Sequence, residues 1–411
     1  MRLPKLSLAC ALALLALIPA STAFADDSGD TTSDAQWTPT FVRDEGNNSF
    51  LSSRTIPFWS SSFTDPTNGV TYPFTMVGTD PRLGGSTTVA TAIIPLKFNF
   101  IAGSQAAMGL TPLATSMDGA DTVGATLASP IFSPANFGIS GDAGVQYGDA
   151  EMRAQFGKVG TGYHVRLAQP DVQDTITLDV PEDMGVAVNK PTGPTTTVLV
   201  GLVDSDWFKS RLRHIINTMH LPASTLPIFL SNNVFLYSDG NLMHCCILGG
   251  HGAGSPTGIG SGSLNGKDAK AWRTFVFGAY ITPGSFGGFP APNRGLSDIH
   301  ALSHEVAEWM NDPFGVNKVQ AYQLPVAPPN TCSAEIETAD PVVGVWFPLP
   351  GNADAGAGGL WHPADQVFLN WFARDGQGPA LAPVDGRYTF SPATGHFGGP
   401  YAGFLSHAAA C

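Results

Sequence analysis

The sequence predicts an α+β fold in which a strand-rich mixed sheet is accompanied by long loops and one prominent helix. Only 13% of the 411 residues are charged, about half the share of an ordinary globular domain, while glycine (47) and proline (33) are abundant. Runs rich in β-branched residues recur along the chain, and the helical pattern is strongest at Ser297–Asn311. These features favour an extracellular domain of strands and loops over a helical bundle.

The first 25 residues have the three parts of a secretory signal peptide. Arg2 and Lys5 give a positive start, Leu6–Ile18 is an apolar run too short to span a bilayer comfortably, and residues 23–25 form an A-x-A cleavage site. We therefore expect a secreted protein, extracellular or periplasmic, whose mature chain begins at Asp26. Since no later run is long and apolar enough to cross a bilayer, we expect no membrane contact after cleavage.

The charge of the chain argues against two classes of partner. The formal net charge is −13, and loss of the two basic residues of the signal peptide takes it to −15. A chain this acidic repels phosphate backbones and anionic lipid head groups. We therefore expect neither nucleic acid nor an anionic membrane as a partner.

Four of the five cysteines follow the predicted cleavage site, at Cys245, Cys246, Cys332 and Cys411. An even number in an oxidising compartment predicts two disulfides, for which three pairings exist. We favour a vicinal bridge between Cys245 and Cys246 together with Cys332–Cys411, which would tie the C-terminal residue to the domain.

The mature chain divides into a leader at 26–85 and one domain at 86–411, with a sub-boundary considered near residue 230. Polar residues dominate 26–52, so this part of the leader is predicted to be loose. The predicted elements of the first half are strand Ser86–Phe100 (or two strands), a short helix near Asp149–Phe156, strands Thr175–Val180 and Thr196–Leu202, and helix Asp204–Met219.

A hairpin and a glycine-rich loop are predicted in the second half. Val234–Tyr237 and Leu242–Leu248 flank an Asp-Gly pair at 239–240, the signal for a tight hairpin turn. Glycine and serine over Gly249–Gly266 predict a loop, and Trp272–Ile281 predicts the next strand. A second Gly/Pro loop then leads to the helix at Ser297–Asn311.

This last helix carries the candidate chemistry. Ser297 is a suitable N-cap, Asp298 complements the helix dipole, and Pro313 ends the helix. One face is predicted to be apolar, whereas the opposite face is predicted to carry polar residues at intervals of one turn. The apolar positions are Ile299, Leu302, Val306, Trp309 and Met310, and the polar row is His300, His304 and Glu308.

His304 and Glu308 lie one turn apart, so they can reach a single ion as the two histidines of H-E-x-x-H do. Glu305 lies beside them, where the general base of a metal-assisted hydrolysis would stand. The alternative is an amphipathic helix with a solvated polar face. Against it, no Lys or Arg occurs between Arg294 and Lys318, so the acids lack their usual partners one turn away.

A third metal ligand is expected from the acids that follow Cys332. Of Glu335, Glu337 and Asp340, we choose Glu337, with the polar face of a strand as the alternative for the two glutamates. Zn²⁺ is the expected ion. A carboxylate in place of the second histidine makes the site harder and less selective for zinc, so Ca²⁺ or Mn²⁺ could replace it.

His251 is a candidate catalytic residue that would donate to a developing oxyanion. It could instead be a ligand, or simply a polar residue of the glycine-rich loop. His164, His214 and His220 are expected to be structural or exposed, and His362, His396 and His407 follow no readable pattern.

The helix motif resembles that of a known group of secreted proteins. Residues 303–308 read S-H-E-V-A-E and 311–313 read N-D-P, similar to S-H-E-[LIV]-A-E…[TN]-[DN]-P in secreted zincin-like proteins of bacteria and fungi. The plant EXORDIUM (phosphate-induced) family has a matching region. Cys246…His251-Gly252 and Glu337…Asp340 resemble its C-G-x-H-G and E-x-x-D segments. The likeness covers roughly residues 230–411 and is greatest to secreted bacterial proteins that share the 298–314 run.

This resemblance implies a zincin-like active-site helix with His304, Glu308 and Glu337 as zinc ligands and Glu305 as base. Many such proteins look like metallopeptidases, so a secreted metal-dependent hydrolase of protein or peptide substrates is the expected function. Some plant members lack these residues and act in the cell wall without catalysis. The alternative is therefore a non-catalytic extracellular protein that binds cell-wall polysaccharide, with a structural metal or none.

Overall fold

The structure is a computed structural model that describes residues 55–103, 109–139, 144–254, 273–286, 296–325, 332–351, 355–374, 388–391 and 411. The predicted signal peptide, the loose part of the leader, residues 255–266 of the predicted loop, His396 and His407 lie outside the described residues. The strands are β1 Phe58–Thr64, β2 Thr71–Val77, β3 Ser86–Phe100, β4 Thr115–Asp118, β5 His164–Leu167, β6 Asp171–Val172, β7 Ile176–Val180, β8 Gly185–Pro191, β9 Thr197–Asp204, β10 Thr225–Asn232, β11 Val234–Tyr237, β12 Cys245–Ile247, β13 Gly249–Gly254, β14 Arg273–Tyr280, β15 Lys318–Gln323, β16 Cys332–Glu335, β17 Leu349–Pro350 and β18 Leu360–Trp361. The helices are α1 Val123–Ala128, α2 Tyr147–Gln155, α3 Ser205–Thr218, α4 His300–Asn311 and α5 Leu369–Phe372, with short 3₁₀ helices at Gly119–Thr122, Asp340–Val342 and Ala357–Gly359.

The fold is α+β and rich in strands, as predicted. A mixed eight-stranded sheet has the order β13-β14-β10-β3-β4, and β5, β6 and β7 also pair with β3. β3, β10 and β14 run parallel, whereas β13 runs antiparallel to β14. A separate four-stranded sheet has the order β12-β11-β9-β8, and the other strands form three two-stranded sheets.

The predicted strand Ser86–Phe100 is a single strand, β3, at the centre of the large sheet. Its middle is buried because apolar layers cover both faces of the sheet. Ile93 lies in one apolar cluster, while its neighbours Ile94 and Leu96 lie in the other. Burial on both faces explains why this strand reads as a continuous apolar run rather than as an alternating pattern.

The hairpin prediction is confirmed, although its second strand is shorter than expected. β11 pairs antiparallel with β12, which covers only Cys245–Ile247 of the predicted Leu242–Leu248. Asp239 and Gly240 at the turn have φ values of 56° and 61°, the left-handed conformation for which an Asp-Gly pair is suited. The structure pairs Cys245 with Cys246 and Cys332 with Cys411, the pairing favoured above.

Two predictions about local structure are wrong. The first part of the predicted loop, Gly249–Gly254, is strand β13, because β14 supplies its backbone partners despite the low strand propensity of glycine. The site helix α4 begins at His300, so Ser297 is not its N-cap; Ile299 occupies that position. All twelve residues of α4 are buried, which excludes the alternative of a solvated polar face.

The described part of the leader belongs to the apolar core. β1 pairs antiparallel with β2, and Trp59, Phe74 and Met76 lie in the same apolar cluster as Trp309 of α4. The Asn317 side chain accepts from the Thr75 backbone N–H at 2.9 Å and donates to the Thr75 carbonyl at 2.7 Å. Among the described residues, no helix is long and apolar enough to cross a membrane.

Candidate metal centre

Helix α4 is held between the large sheet and helix α2. On the sheet side, a Cβ on Gly278 of β14 would lie 2.9 Å from the Leu302 Cα, so helix and strand approach more closely than a larger residue would allow. On the other side, Asn311 donates to Glu151 at 2.9 Å and accepts from Gln155 at 2.9 Å. These contacts fix the helix that carries the candidate ligands.

The first group of candidate ligands contains His304, Glu308 and Asp340. His304 Nε2 lies 3.0 Å from Glu308 Oε2 and 3.7 Å from Asp340 Oδ1. One ligand atom from each residue falls within 4.8 Å of the others, and all three residues are buried. The one-turn spacing read from the sequence therefore brings His304 and Glu308 together as predicted.

The second group contains His251, Glu305 and Glu308, again with ligand atoms within 4.8 Å of one another. His251 Nδ1 lies 3.3 Å from Glu305 Oε2 and 3.9 Å from Glu308 Oε2. Glu308 thus belongs to both groups. His251 lies on β13, which the sequence analysis had predicted to be part of a loop. This strand therefore contributes directly to the site.

The segment after β16 is attached to α4 through Glu308. Glu308 Oε1 accepts a hydrogen bond of 2.9 Å from the Ala339 backbone N–H, which places both neighbouring acids at the cluster. Glu337 Oε2 lies 3.7 Å from His251 Nε2, whereas Asp340 completes the group around His304. Of the two acids, the structure therefore puts Asp340 beside the helix ligands and Glu337 beside His251.

His251 is buried in a strand, so its interpretation as a polar loop residue is wrong. Its Nε2 lies 3.0 Å from the Asp312 carbonyl oxygen, which can only accept, so Nε2 carries a proton and donates it. The Asp312 carboxylate accepts from the backbone N–H groups of Val316 and Asn317 at 2.9 and 2.8 Å, and burial raises its pKa to about 6. Because Nε2 donates to the Asp312 carbonyl oxygen, Nδ1 is the ring atom of His251 that faces Glu305 and Glu308.

The spacing of these atoms suits a metal ion. Two ligands held about 2.0–2.2 Å from one tetrahedral zinc ion lie about 3.3–3.6 Å apart, close to the 3.0 and 3.7 Å measured from His304 Nε2 to its two neighbours. The donor set of imidazole nitrogens and carboxylate oxygens is compatible with zinc or manganese. The side chains of the six clustered residues are at most 7% exposed, so they do not form a solvated polar surface.

Two residues of the sequence patterns stand apart from the cluster. His300, the first of the predicted polar row, is fully buried, and burial lowers its pKa to about 3, which keeps the ring neutral. Glu335 forms an ion pair with Lys318 across the β15–β16 hairpin. Glu335 lies on strand β16, in agreement with the alternative prediction that it belongs to the polar face of a strand.

Sequence reasoning missed a buried Asp298–His362 pair at the start of α4. The Asp298 carboxylate contacts His362 Nδ1 at 2.5 Å and accepts from the His362 and Ile299 backbone N–H groups at 2.9 and 2.7 Å. Asp298 has a φ of 46°, a conformation uncommon for residues other than glycine. The partners are 64 residues apart, so no local spacing reveals the pair.

Comparison of the chain with protein-family models, curated proteins and solved structures finds no match. The resemblance to zincin-like proteins therefore stays a prediction, and the functional argument rests on the geometry of the cluster.

Proposed function

We propose that this protein is a secreted metal-dependent hydrolase, a zinc metallopeptidase whose ion is held on helix α4. The observation that carries the proposal is the convergence of His304, Glu308 and Asp340 to within 4.8 Å in a buried site. Asp340 takes the place first assigned to Glu337, because it lies 3.7 Å from His304 Nε2. Glu337 then lies next to the site through its contact with His251.

Each residue has a distinct task in this proposal. The bound zinc ion would polarise a carbonyl group and lower the pKa of water. Glu305 follows His304 in the chain and belongs to the neighbouring group with Glu308; its carboxylate would take the proton of the attacking water and pass it to the departing amine. His251 would orient that carboxylate, since its Nδ1 lies 3.3 Å from Glu305 Oε2.

A structural metal in a non-catalytic extracellular protein is the second candidate function. The observation in its favour is burial, because the six side chains are at most 7% exposed and structural zinc sites are closed by protein ligands. In this case the ion would stabilise the fold, and binding of cell-wall polysaccharide would use another surface.

Metal content and peptide hydrolysis together test the proposal. We expect purified protein to contain zinc, to lose peptide hydrolysis when a chelator removes it, and to regain activity on zinc addition. His304→Gln and Asp340→Asn should lose that ion and the stability that it contributes. Glu305→Gln should keep the ion held by His304 but lose at least about 100-fold in kcat, because an amide cannot accept the proton.

Glu337→Gln and Glu335→Gln form a matched pair on one segment. Glu335→Gln should leave metal and activity unchanged, because Glu335 pairs with Lys318 away from the cluster. If Glu337→Gln loses the ion while Asp340→Asn keeps it, the ligand assignment is wrong. Stoichiometric zinc with no hydrolysis of any peptide in a random-sequence library would instead establish the structural role.

A further inference from the structure

The geometry points to two divalent cations in this cluster, bridged by the carboxylate of Glu308. This inference rests on the proposed metal centre and adds a second binding position to it, formed by His251, Glu305 and Glu308. The first position remains that of His304, Glu308 and Asp340.

The separation of the two histidines is the first argument. Two imidazole nitrogens bound to one zinc ion at about 2.1 Å can lie no more than about 4.2 Å apart. Among the described residues, His251 and His304 occur in different groups, each defined by ligand atoms within 4.8 Å of one another. Each histidine thus has its own set of carboxylate neighbours, with Glu308 shared, and an ion held by one group leaves the histidine of the other group to bind a second ion.

The hydrogen bonding of His251 is the second argument. Its Nε2 donates to the Asp312 carbonyl oxygen at 3.0 Å, so a neutral ring has its lone pair on Nδ1. Without an ion, a protonated ring donates from Nδ1 to Glu305 Oε2 at 3.3 Å. A neutral ring presents its Nδ1 lone pair to Glu305 Oε2 and Glu308 Oε2 at 3.3 and 3.9 Å, where one cation can bind all three atoms. Histidines that bind metals characteristically donate their other N–H to a carbonyl or carboxylate, as His251 does.

The position of Glu308 explains how the ions are shared. Its Oε1 is occupied by the Ala339 backbone N–H at 2.9 Å, which directs Oε2 toward both histidines. Oε2 is 3.0 Å from His304 Nε2 and 3.9 Å from His251 Nδ1. An oxygen between two ligand sets in this way is suited to bridge ions about 3.5–4 Å apart, the spacing of two-metal sites.

Charge provides the third argument. The cluster brings together Glu305, Glu308, Glu337 and Asp340, each almost completely buried. Burial of ionised carboxylates is costly unless positive charge accompanies them. Two divalent cations would balance the four negative charges that these carboxyl groups carry when all are ionised. When both positions hold an ion, Glu305 is a metal ligand. Glu305 can therefore act as the base of the proposed hydrolysis only in the form of the protein that holds one ion, at His304.

The test is a binding stoichiometry with Mn²⁺ and with Zn²⁺. Full-length mature protein is stripped with a chelator, dialysed against each ion, and analysed for metal per chain. We expect two ions for the wild type and one each for His251→Gln and His304→Gln. His164→Gln is the control: it removes a histidine that pairs with Asp149 outside the cluster and should bind two ions.

Electron paramagnetic resonance of the Mn²⁺ form then tests the bridge. Two ions that share Glu308 should give an exchange-coupled signal, and both single-histidine variants should give the signal of an isolated ion. If His251→Gln does not fold, as judged by circular dichroism, Glu305→Gln serves as the second variant and should also bind one ion.

One ion in the wild type, unchanged in His251→Gln, would overturn the second position and leave the proposed function intact. Two ions without exchange coupling would overturn the bridge by Glu308. No bound ion at all would remove the metal centre and with it the proposed function.

Discussion

The pKa of Glu151 is controlled by the surroundings of its side chain. Glu151 is completely buried on α2, where Asn311 of the site helix donates to its Oε1 at 2.9 Å. Burial raises its pKa from 4.5 to about 8, so the group holds a proton at neutral pH. The folded chain then binds a proton that the unfolded chain releases above pH 4.5, and the associated stability is lost as the pH rises from 4.5 to about 8.

Glu151→Gln should therefore stabilise the protein increasingly as the pH rises. The amide keeps the shape and hydrogen-bonding capacity of the neutral acid but has no proton to lose. We expect the free energy of unfolding of the variant, relative to wild type, to increase by on the order of 3 kcal/mol between pH 5 and pH 8. Urea denaturation at several pH values measures it, with the exposed Glu182→Gln as control; parallel pH profiles for wild type and Glu151→Gln would contradict the assignment.

At the residue scale, the sequence identifies the site residues of the helix and narrows the third ligand to three acids. His304, Glu305 and Glu308 are recognised because a helix places residues one turn apart side by side. Asp340 was among the acids considered, but the choice between it and Glu337 depends on how the chain after β16 meets α4. The role of His362 could not be predicted, because its partner Asp298 is brought to it by tertiary structure alone.

At the scale of elements, β13 shows why a strand of glycines escapes prediction. Glycine-rich segments have low strand propensity and usually form loops, yet β13 pairs along its length with β14. Close packing supplies the reason for at least one of these glycines. A Cβ on Gly249 would lie 2.4 Å from Glu305 Oε1, so a larger residue would compete with the glutamate for the same space.

Gly249→Ala should consequently displace the Glu305 side chain. Because the added methyl group meets a buried side chain, we expect a loss of about 1–3 kcal/mol in the free energy of unfolding. The proposed activity should fall and the metal stoichiometry should change with it. Gly254→Ala on the same strand is the control, since its Cβ would lie 3.7 Å from Ile216, an ordinary contact. Equal effects of the two substitutions would show that strand propensity, rather than contact with Glu305, is responsible.

At the scale of the whole molecule, sequence reasoning identified a minority of the described strands and could not give their order. The runs that became β3, β7, β9, β11 and β14 were identified from β-branched and aromatic residues. Their arrangement depends on pairings between distant segments, such as Ile93 of β3 with Ile228 of β10. Each strand of this kind is compatible with several neighbours, and packing of the two apolar clusters selects among them.

The Cys332–Cys411 disulfide joins the C-terminal residue to strand β16, and the chain between the two cysteines includes two of the acids at the candidate metal centre. The bridge joins residues 79 positions apart, and Glu337 and Asp340 lie a few residues after its first cysteine. A disulfide that closes a long loop stabilises the folded state mainly by restricting the unfolded chain, typically by about 2–4 kcal/mol. Cys245–Cys246 joins neighbouring residues and closes no loop of this kind.

Cys332→Ser/Cys411→Ser should therefore lose about 2–4 kcal/mol in the free energy of unfolding, with weaker retention of metal during dialysis. Weaker retention is expected because the segment that carries Asp340 would open more readily, and binding to the folded state is linked to its stability. Cys245→Ser/Cys246→Ser is the matched control and should change stability by less.

Urea denaturation and metal analysis compare the two double variants. Thiol titration of the unreduced mature wild type should show no reactive thiol. Equal losses in the two double variants would contradict the loop-closure explanation, and two reactive thiols in the wild type would show that one of the bridges does not form.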